Sequence, residues 1–171
     1  ELLESLEIQR GYQPKEMSQW FEARAERPMA VAVMIHGLNQ KPSKFKDLIS
    51  VFNDIGVHVF RLTLQGHGGT GFDDMKQVTM DGWQSDFWSG WCQAHQRYPG
   101  VKKILVAYSL GALVAQEVQL EHGNVLFDSQ VLLAPALSLK GAVNLIRPAL
   151  YLFPHIPSRS PKAYRANTRG T

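Results

Sequence analysis

Lys103-Ile104-Leu105-Val106-Ala107-Tyr108-Ser109-Leu110-Gly111 is the stretch on which the reading of this chain turns. Its first six residues form an apolar, β-branched run that predicts a strand, and Leu110 to His122 has the spacing of a helix stopped by Gly123. Between the two, Ala107-Tyr108-Ser109-Leu110-Gly111 is a G-x-S-x-G pattern with Ala in the first Gly position. A strand that turns into a helix this sharply needs small residues two positions either side of the serine, because a larger side chain would strike the strand or the helix. Ala meets that demand less freely than Gly. A serine on such a turn projects its hydroxyl at the carboxyl end of the sheet, where open α/β sheets bind ligands. The N–H groups at the helix start face the same spot and favour developing negative charge. Ser109 is therefore the candidate nucleophile.

Working outward, short apolar runs alternate with segments of helical spacing from Met29 onward, which predicts an α/β fold with a mostly parallel sheet and crossover helices. Met29 to Ile35 reads as a buried strand followed by the turn His36-Gly37-Leu38-Asn39. Ser43 is placed to cap a helix carrying Phe45, Leu48, Ile49 and Phe52 on one face and ending at Gly56. Val57 to Leu64 is the next strand, Gln65 to Gly71 a Gly-rich loop, Asp81 to Tyr98 an aromatic helix, and Gln130 to Leu133 a fourth strand. Trp20 to Ala25 reads as an antiparallel strand that hairpins through Glu26-Arg27-Pro28. The core is expected over residues 1–136. Residues 137–171, apolar and interrupted by Pro148, read as the start of a cap or lid insertion that stops unfinished.

Composition narrows the classes. The hydrophobic fraction of 44% and charged fraction of 19% are those of a folded globular chain. No apolar run approaches the roughly 18 residues needed to span a bilayer, so a soluble protein without an integral membrane segment is expected, with the cytoplasm favoured. The net charge of +3 is a property of the tail: no Asp or Glu follows Asp128, whereas Lys140, Arg147, Arg159, Lys162, Arg165 and Arg169 do. Those cations are scattered among Pro and apolar residues without interleaved stacking aromatics, which argues against nucleic acid as a partner. Cys92, the lone cysteine, lies among Trp88, Trp91 and His95 and reads as a packing thiol.

Acyl transfer needs two N–H donors aimed at the tetrahedral oxyanion, one from the residue after the nucleophile and one from the loop after the first parallel strand. Those donors are expected to be the backbone N–H groups of Leu110 and Leu38. Gly37 lets the backbone approach the reacting carbon. His36 sits on the wrong loop for a catalytic base and reads as a hydrogen-bonding support of its own loop, as Gly37 and Gly111 support it sterically.

His36-Gly37-Leu38, Gln65-Gly66-His67-Gly68-Gly69, Ala107-Tyr108-Ser109-Leu110-Gly111 and Leu133-Ala134-Pro135 occur in the order and at the spacing of the α/β-hydrolase superfamily. Over about residues 20–140 the chain resembles its monoacylglycerol lipase, lysophospholipase and carboxylesterase group. The resemblance implies hydrolysis of carboxylic esters through an acyl-enzyme on Ser109, a small-molecule ester substrate with an apolar acyl group, no metal or organic cofactor, and a mobile cap. The departure is Ala107 for the usual Gly.

The triad acid and histidine of this fold follow the serine on later loops. No acidic residue follows Asp128, which precedes its strand at the far edge of the sheet, and His155 lies in the unfinished insertion. The expectation is that the remainder of the hydrolase domain, on the same or another chain, supplies both; an opening Glu1 fits an incompletely recorded chain. Two rivals remain: a non-catalytic binding module that kept the turn, and a dinucleotide fingerprint in Gly66-His67-Gly68-Gly69-Thr70-Gly71. The latter needs its loop to open straight into a helix, which Phe72-Asp73-Asp74 does not offer.

Overall fold

Six consecutive buried residues, Ala30–Ile35, form a strand with both faces covered, as a continuous apolar run in a parallel sheet requires. The computed structural model describes residues 2–25, 27–69, 75–123 and 125–136. In chain order its elements are α1 (Leu2–Gln9), β1 (Gln19–Phe21), β2 (Ala30–Ile35), α2 (Lys46–Asp54), β3 (Val57–Leu62), α3 (Met80–Arg97), β4 (Lys103–Tyr108), α4 (Leu110–His122) and β5 (Ser129–Leu133), with short 3-10 turns at Pro14–Glu16 and Pro42–Phe45. The sheet order is β1-β3-β2-β4-β5. β2 pairs in parallel with β3 (Ile35 opposite Leu62) and with β4 (Ile35 opposite Ala107), and β4 pairs in parallel with β5 (Tyr108 opposite Leu133).

Strand periodicity divides the core in two. Val31, Val33 and Ile35 point with Phe60, Leu62, Leu105 and Ala107 toward Phe87 and Ala94 of α3 and Ala112, Val114 and Val118 of α4. Ala30, Ala32 and Met34 point with Val57, Val59 and Val106 toward Phe45 and Ile49. From β2 the chain steps to β3 on one side, then crosses to β4 on the other. The strand order thus reverses beside β2, and the crevice at the carboxyl ends of β2 and β4 is a topological switch point.

The expected α/β architecture and its parallel strands hold, with three local differences. The antiparallel strand is shorter, and it pairs with β3 (Trp20 opposite Phe60) rather than hairpinning onto β2. Both edges of β2 are already taken by β3 and β4, so the free edge of β3 is the one available; Glu26 of the expected hairpin lies outside the described residues. Ser43 does not cap a helix: its N–H and hydroxyl donate to the Glu16 carboxylate at 3.0 and 2.8 Å, and the α-helix begins only at Lys46. α3 is capped by Thr79, whose side chain accepts from the Gly82 N–H at 3.0 Å. Cys92 is half-buried, beside the edge-on Trp88–Trp91 pair and His95 stacked on Trp91. The expected cap segment, residues 137–171, and His155 within it lie outside the described residues, as do Thr70 to Asp74. Among the described residues, no helix is long and apolar enough to cross a membrane.

Candidate functional site

Ser109 connects β4 to α4 with φ +49° and ψ −107°, a backbone state that non-glycine residues rarely adopt. Such strain costs of order 1–3 kcal/mol and persists only where the surroundings over-determine it. Here they do. The Ser109 N–H donates to Leu133 O at 2.9 Å, and its carbonyl accepts from Leu113 N at 3.2 Å and Ala136 N at 3.3 Å. The hydroxyl makes no capping bond to α4, so it is not consumed by the helix it precedes.

The steric demand read from the pattern appears at both flanks of the turn. A Cβ on Gly111 would lie 2.7 Å from His36 O and 2.8 Å from Ile35 O, both backbone atoms that cannot retreat. Ala107 is fully buried against the α3 and α4 side of the core, where one methyl is accommodated. A Cβ on Gly37 would lie 2.6 Å from the Tyr108 ring and 3.1 Å from Ser109 Cβ. The loop after β2 therefore passes directly over the turn that carries Ser109. Leu110 opens α4, so its N–H belongs to the first turn, which has no intrahelical acceptor. Ser109, Leu110, Gly111, His36, Gly37 and Leu38 are thus gathered at the carboxyl ends of β2 and β4.

His36 is fully buried. Its Nε2 accepts from the Leu64 N–H at 3.0 Å, so Nδ1 carries the proton and donates to Gly37 O at 3.0 Å. Burial, then neighbouring His67, hold its pKa well below the usual 6.5. Its one lone pair faces a peptide N–H, so this imidazole has nothing with which to take a proton from Ser109.

Sequence reasoning passed over what surrounds the loop from Gln65 to Gly69. His67 reaches Leu38 O through Nε2 at 2.9 Å and Gln65 O through Nδ1 at 3.1 Å. Burial lowers its pKa, opposed by those carbonyls and assisted by Lys41. Lys41 Nζ donates to His67 O at 3.1 Å and Gly69 O at 2.6 Å. From the N-terminal segment, Tyr12 OH accepts from Gly66 N at 3.1 Å, Gln13 N donates to Gly68 O at 2.9 Å, and a Cβ on Gly68 would collide with the Tyr12 ring at 2.1 Å. Asp86, its pKa raised by burial, accepts from Gln65 N at 2.6 Å and pairs with Arg10 at 3.2 Å. The only signal of this in the sequence is the glycine spacing, since each partner is a polar residue far away in the chain.

These contacts also remove the dinucleotide reading. The N–H groups of Gln65, Gly66 and His67 are spent on Asp86, Tyr12 and Leu64, so they cannot cradle a phosphate, and among the described residues the next α-helix is the one that begins at Met80.

A mostly parallel sheet with helices on both faces and a strained serine at a strand-to-helix turn defines the α/β-hydrolase class. Residues 26–169 match the family described as serine aminopeptidase, S33, and the chain belongs to that family. Phospholipase YtpA of Bacillus subtilis (strain 168) is 30% identical over 125 residues, which span 71% of this chain and 46% of that protein. Among solved structures, the monoacylglycerol lipase of Paleococcus ferrophilus matches with a TM-score of 0.62 at 20% identity, covering 82% of this chain and 51% of that one. The highly thermostable carboxyl esterase of Bacillus coagulans matches with a TM-score of 0.66 at 18% identity, covering 80% of this chain and 44% of that one. The chain spans about half the length of these relatives.

Proposed function

We propose that this chain carries the nucleophile and the oxyanion hole of a serine hydrolase acting on carboxylic esters. The observation that carries the reading is the strained Ser109 turn lying directly under the Gly37 backbone. In the proposed reaction Ser109 Oγ attacks the ester carbonyl as its proton passes to a base. The Leu38 and Leu110 N–H groups hold the oxyanion, the alcohol leaves with the proton, and water then hydrolyses the acyl-enzyme.

Among the described histidines none serves as that base. His36 and His67 are engaged with peptide groups, His58 accepts from Ala23 N at 3.0 Å, and His95 and His122 lie against Trp91 and Trp88. Base and acid are therefore assigned to the remainder of the hydrolase domain, which the half-length match to the relatives supports. A glycerolipid ester with an apolar acyl chain, such as a monoacylglycerol or lysophospholipid, is the favoured substrate. The names of the phospholipase and monoacylglycerol lipase relatives support that choice.

Fluorophosphonate labelling of the full-length protein tests the reading. Labelling of the wild type that disappears in Ser109→Ala is expected, together with hydrolysis of p-nitrophenyl acyl esters in preference to aminoacyl p-nitroanilides. Absence of labelling in the wild type would leave the binding-module alternative in its place.

A further inference from the structure

We propose that His67 is a positioning residue of the oxyanion hole: together with His36 it fixes the two peptide planes on either side of Leu38, and so aims the Leu38 N–H. The inference rests on the proposed role of Leu38 as an oxyanion donor and adds a residue from a different loop.

A trans peptide is planar, and its C=O and N–H point in opposite directions. No cis peptide occurs among the described residues. The plane joining Gly37 to Leu38 is held at its carbonyl, because Gly37 O accepts from His36 Nδ1 at 3.0 Å and from Gln40 N at 3.2 Å. That direction sets the opposite one, along which the Leu38 N–H points. One held plane still leaves a crankshaft rotation about the neighbouring Cα atoms. The second hold removes it, because the following plane is fixed where Leu38 O meets His67 Nε2 at 2.9 Å.

Packing does not perform this task. The Leu38 side chain is 43% exposed and Asn39 is exposed as well, so the loop has no buried apolar anchor at this point. The two imidazoles that hold it are themselves fixed, with ring centroids 4.5 Å apart. His36 is pinned by Leu64 N, while His67 sits in a loop whose backbone is held by Tyr12, Gln13, Lys41 and Asp86.

A neutral imidazole has one N–H for the two carbonyls that face His67. In the proposed arrangement that proton sits on Nε2 and serves Leu38 O, and Gln65 O keeps a donor in Trp83 Nε1 at 3.0 Å.

The side-chain geometry supplies a discriminating test in the full-length protein. A glutamine amide nitrogen reaches about the position of imidazole Nε2, whereas an asparagine amide nitrogen reaches only that of Nδ1. His67→Gln is expected to keep kcat on a p-nitrophenyl ester within about threefold of wild type. His67→Asn is expected to lower kcat by roughly 100-fold, the scale of losing one oxyanion donor, with KM changed less than about twofold. Equal kcat for the two variants, or a loss confined to KM, overturns the inference while wild-type labelling at Ser109 leaves the hydrolase reading standing. Failure of the wild type to label removes both. Should His67→Asn not fold, 15N NMR of the wild-type imidazole decides instead: a proton on Nε2 supports the assignment, and a proton on Nδ1 overturns it.

Discussion

The two ends of the parallel sheet are built from the same strands but held in different ways. At the carboxyl end, β2 and β4 run into strained or crowded backbone: Ser109 at φ +49°, Gly111 against two carbonyls, and imidazoles spent on peptide groups. At the amino end the connections relax. Gly56 and Gly100 have positive φ with open space around them, and Asp128 Oδ2 accepts from Lys103 N at 2.7 Å while Lys103 Nζ donates to Tyr98 O. Strain and buried polar groups concentrate where ligands bind in such sheets, and the opposite end serves stability. The difference makes the two ends separable by mutation.

The largest effect is expected at Ser109. Ser109→Ala in the full-length protein should reduce ester hydrolysis by at least about 10⁴-fold, since the oxyanion hole and binding alone leave only residual catalysis. Its thermal midpoint should stay within a few degrees of wild type or rise, because the hydroxyl caps nothing in α4. Retained turnover would place the chemistry elsewhere. Gly111→Ala comes next. The added methyl would press on two backbone carbonyls as well as the Ile35 Cγ2 methyl, so a loss of about 2–3 kcal/mol in urea unfolding is expected, together with lost labelling of Ser109 as α4 is pushed from β2. At the other end, Asp128→Ala removes one acceptor from Lys103 N and should cost about 1 kcal/mol with kcat unchanged. A drop in kcat there would break the division between the two ends.

What was legible in the sequence follows the same division between apolar pattern and polar contact. β2 is an uninterrupted apolar run, β3 and β4 are apolar apart from His58, Arg61 and Lys103, and Ala107 to Gly111 encodes its steric demand in residue size, so both could be read locally. The partner of β1 could not, because Trp20 and Phe21 look alike whether they face β2 or β3; only the occupancy of β2's edges decides. The N-terminal segment was silent for a further reason. Tyr12, Glu16 and Arg10 act through side-chain hydrogen bonds to Gly66, Ser43 and Asp86, and one polar residue leaves no periodic signature of a partner that distant. Ser43 shows the converse error. A serine before a helical pattern suggests a cap, yet a buried carboxylate can claim both of its donors.

The smallest expected effect is a pH dependence that belongs to the carboxyl end alone. His36 and His67 both have pKa values below the usual 6.5, with burial the leading cause in each. The folded state therefore resists protons that the unfolded state accepts. Stability contributed by these groups is intact above about pH 6.5 and is lost as pH falls below it, by at most about 1.4 kcal/mol per pH unit for each histidine. Glu7 and Asp86 work in the opposite sense, because burial raises their pKa values and favours the protonated folded state, so they offset part of the histidines' effect where they titrate. Urea midpoints should thus decline from pH 7 to pH 5.5 in the full-length protein. His67→Gln deletes one of the two depressed imidazoles and should flatten that decline by a few tenths of a kcal/mol per unit, whereas Asp128→Ala should leave its slope unchanged. A slope insensitive to His67→Gln would mean that its imidazole titrates alike in the folded and unfolded chain, and that the carboxyl end is held less tightly than its hydrogen bonds imply.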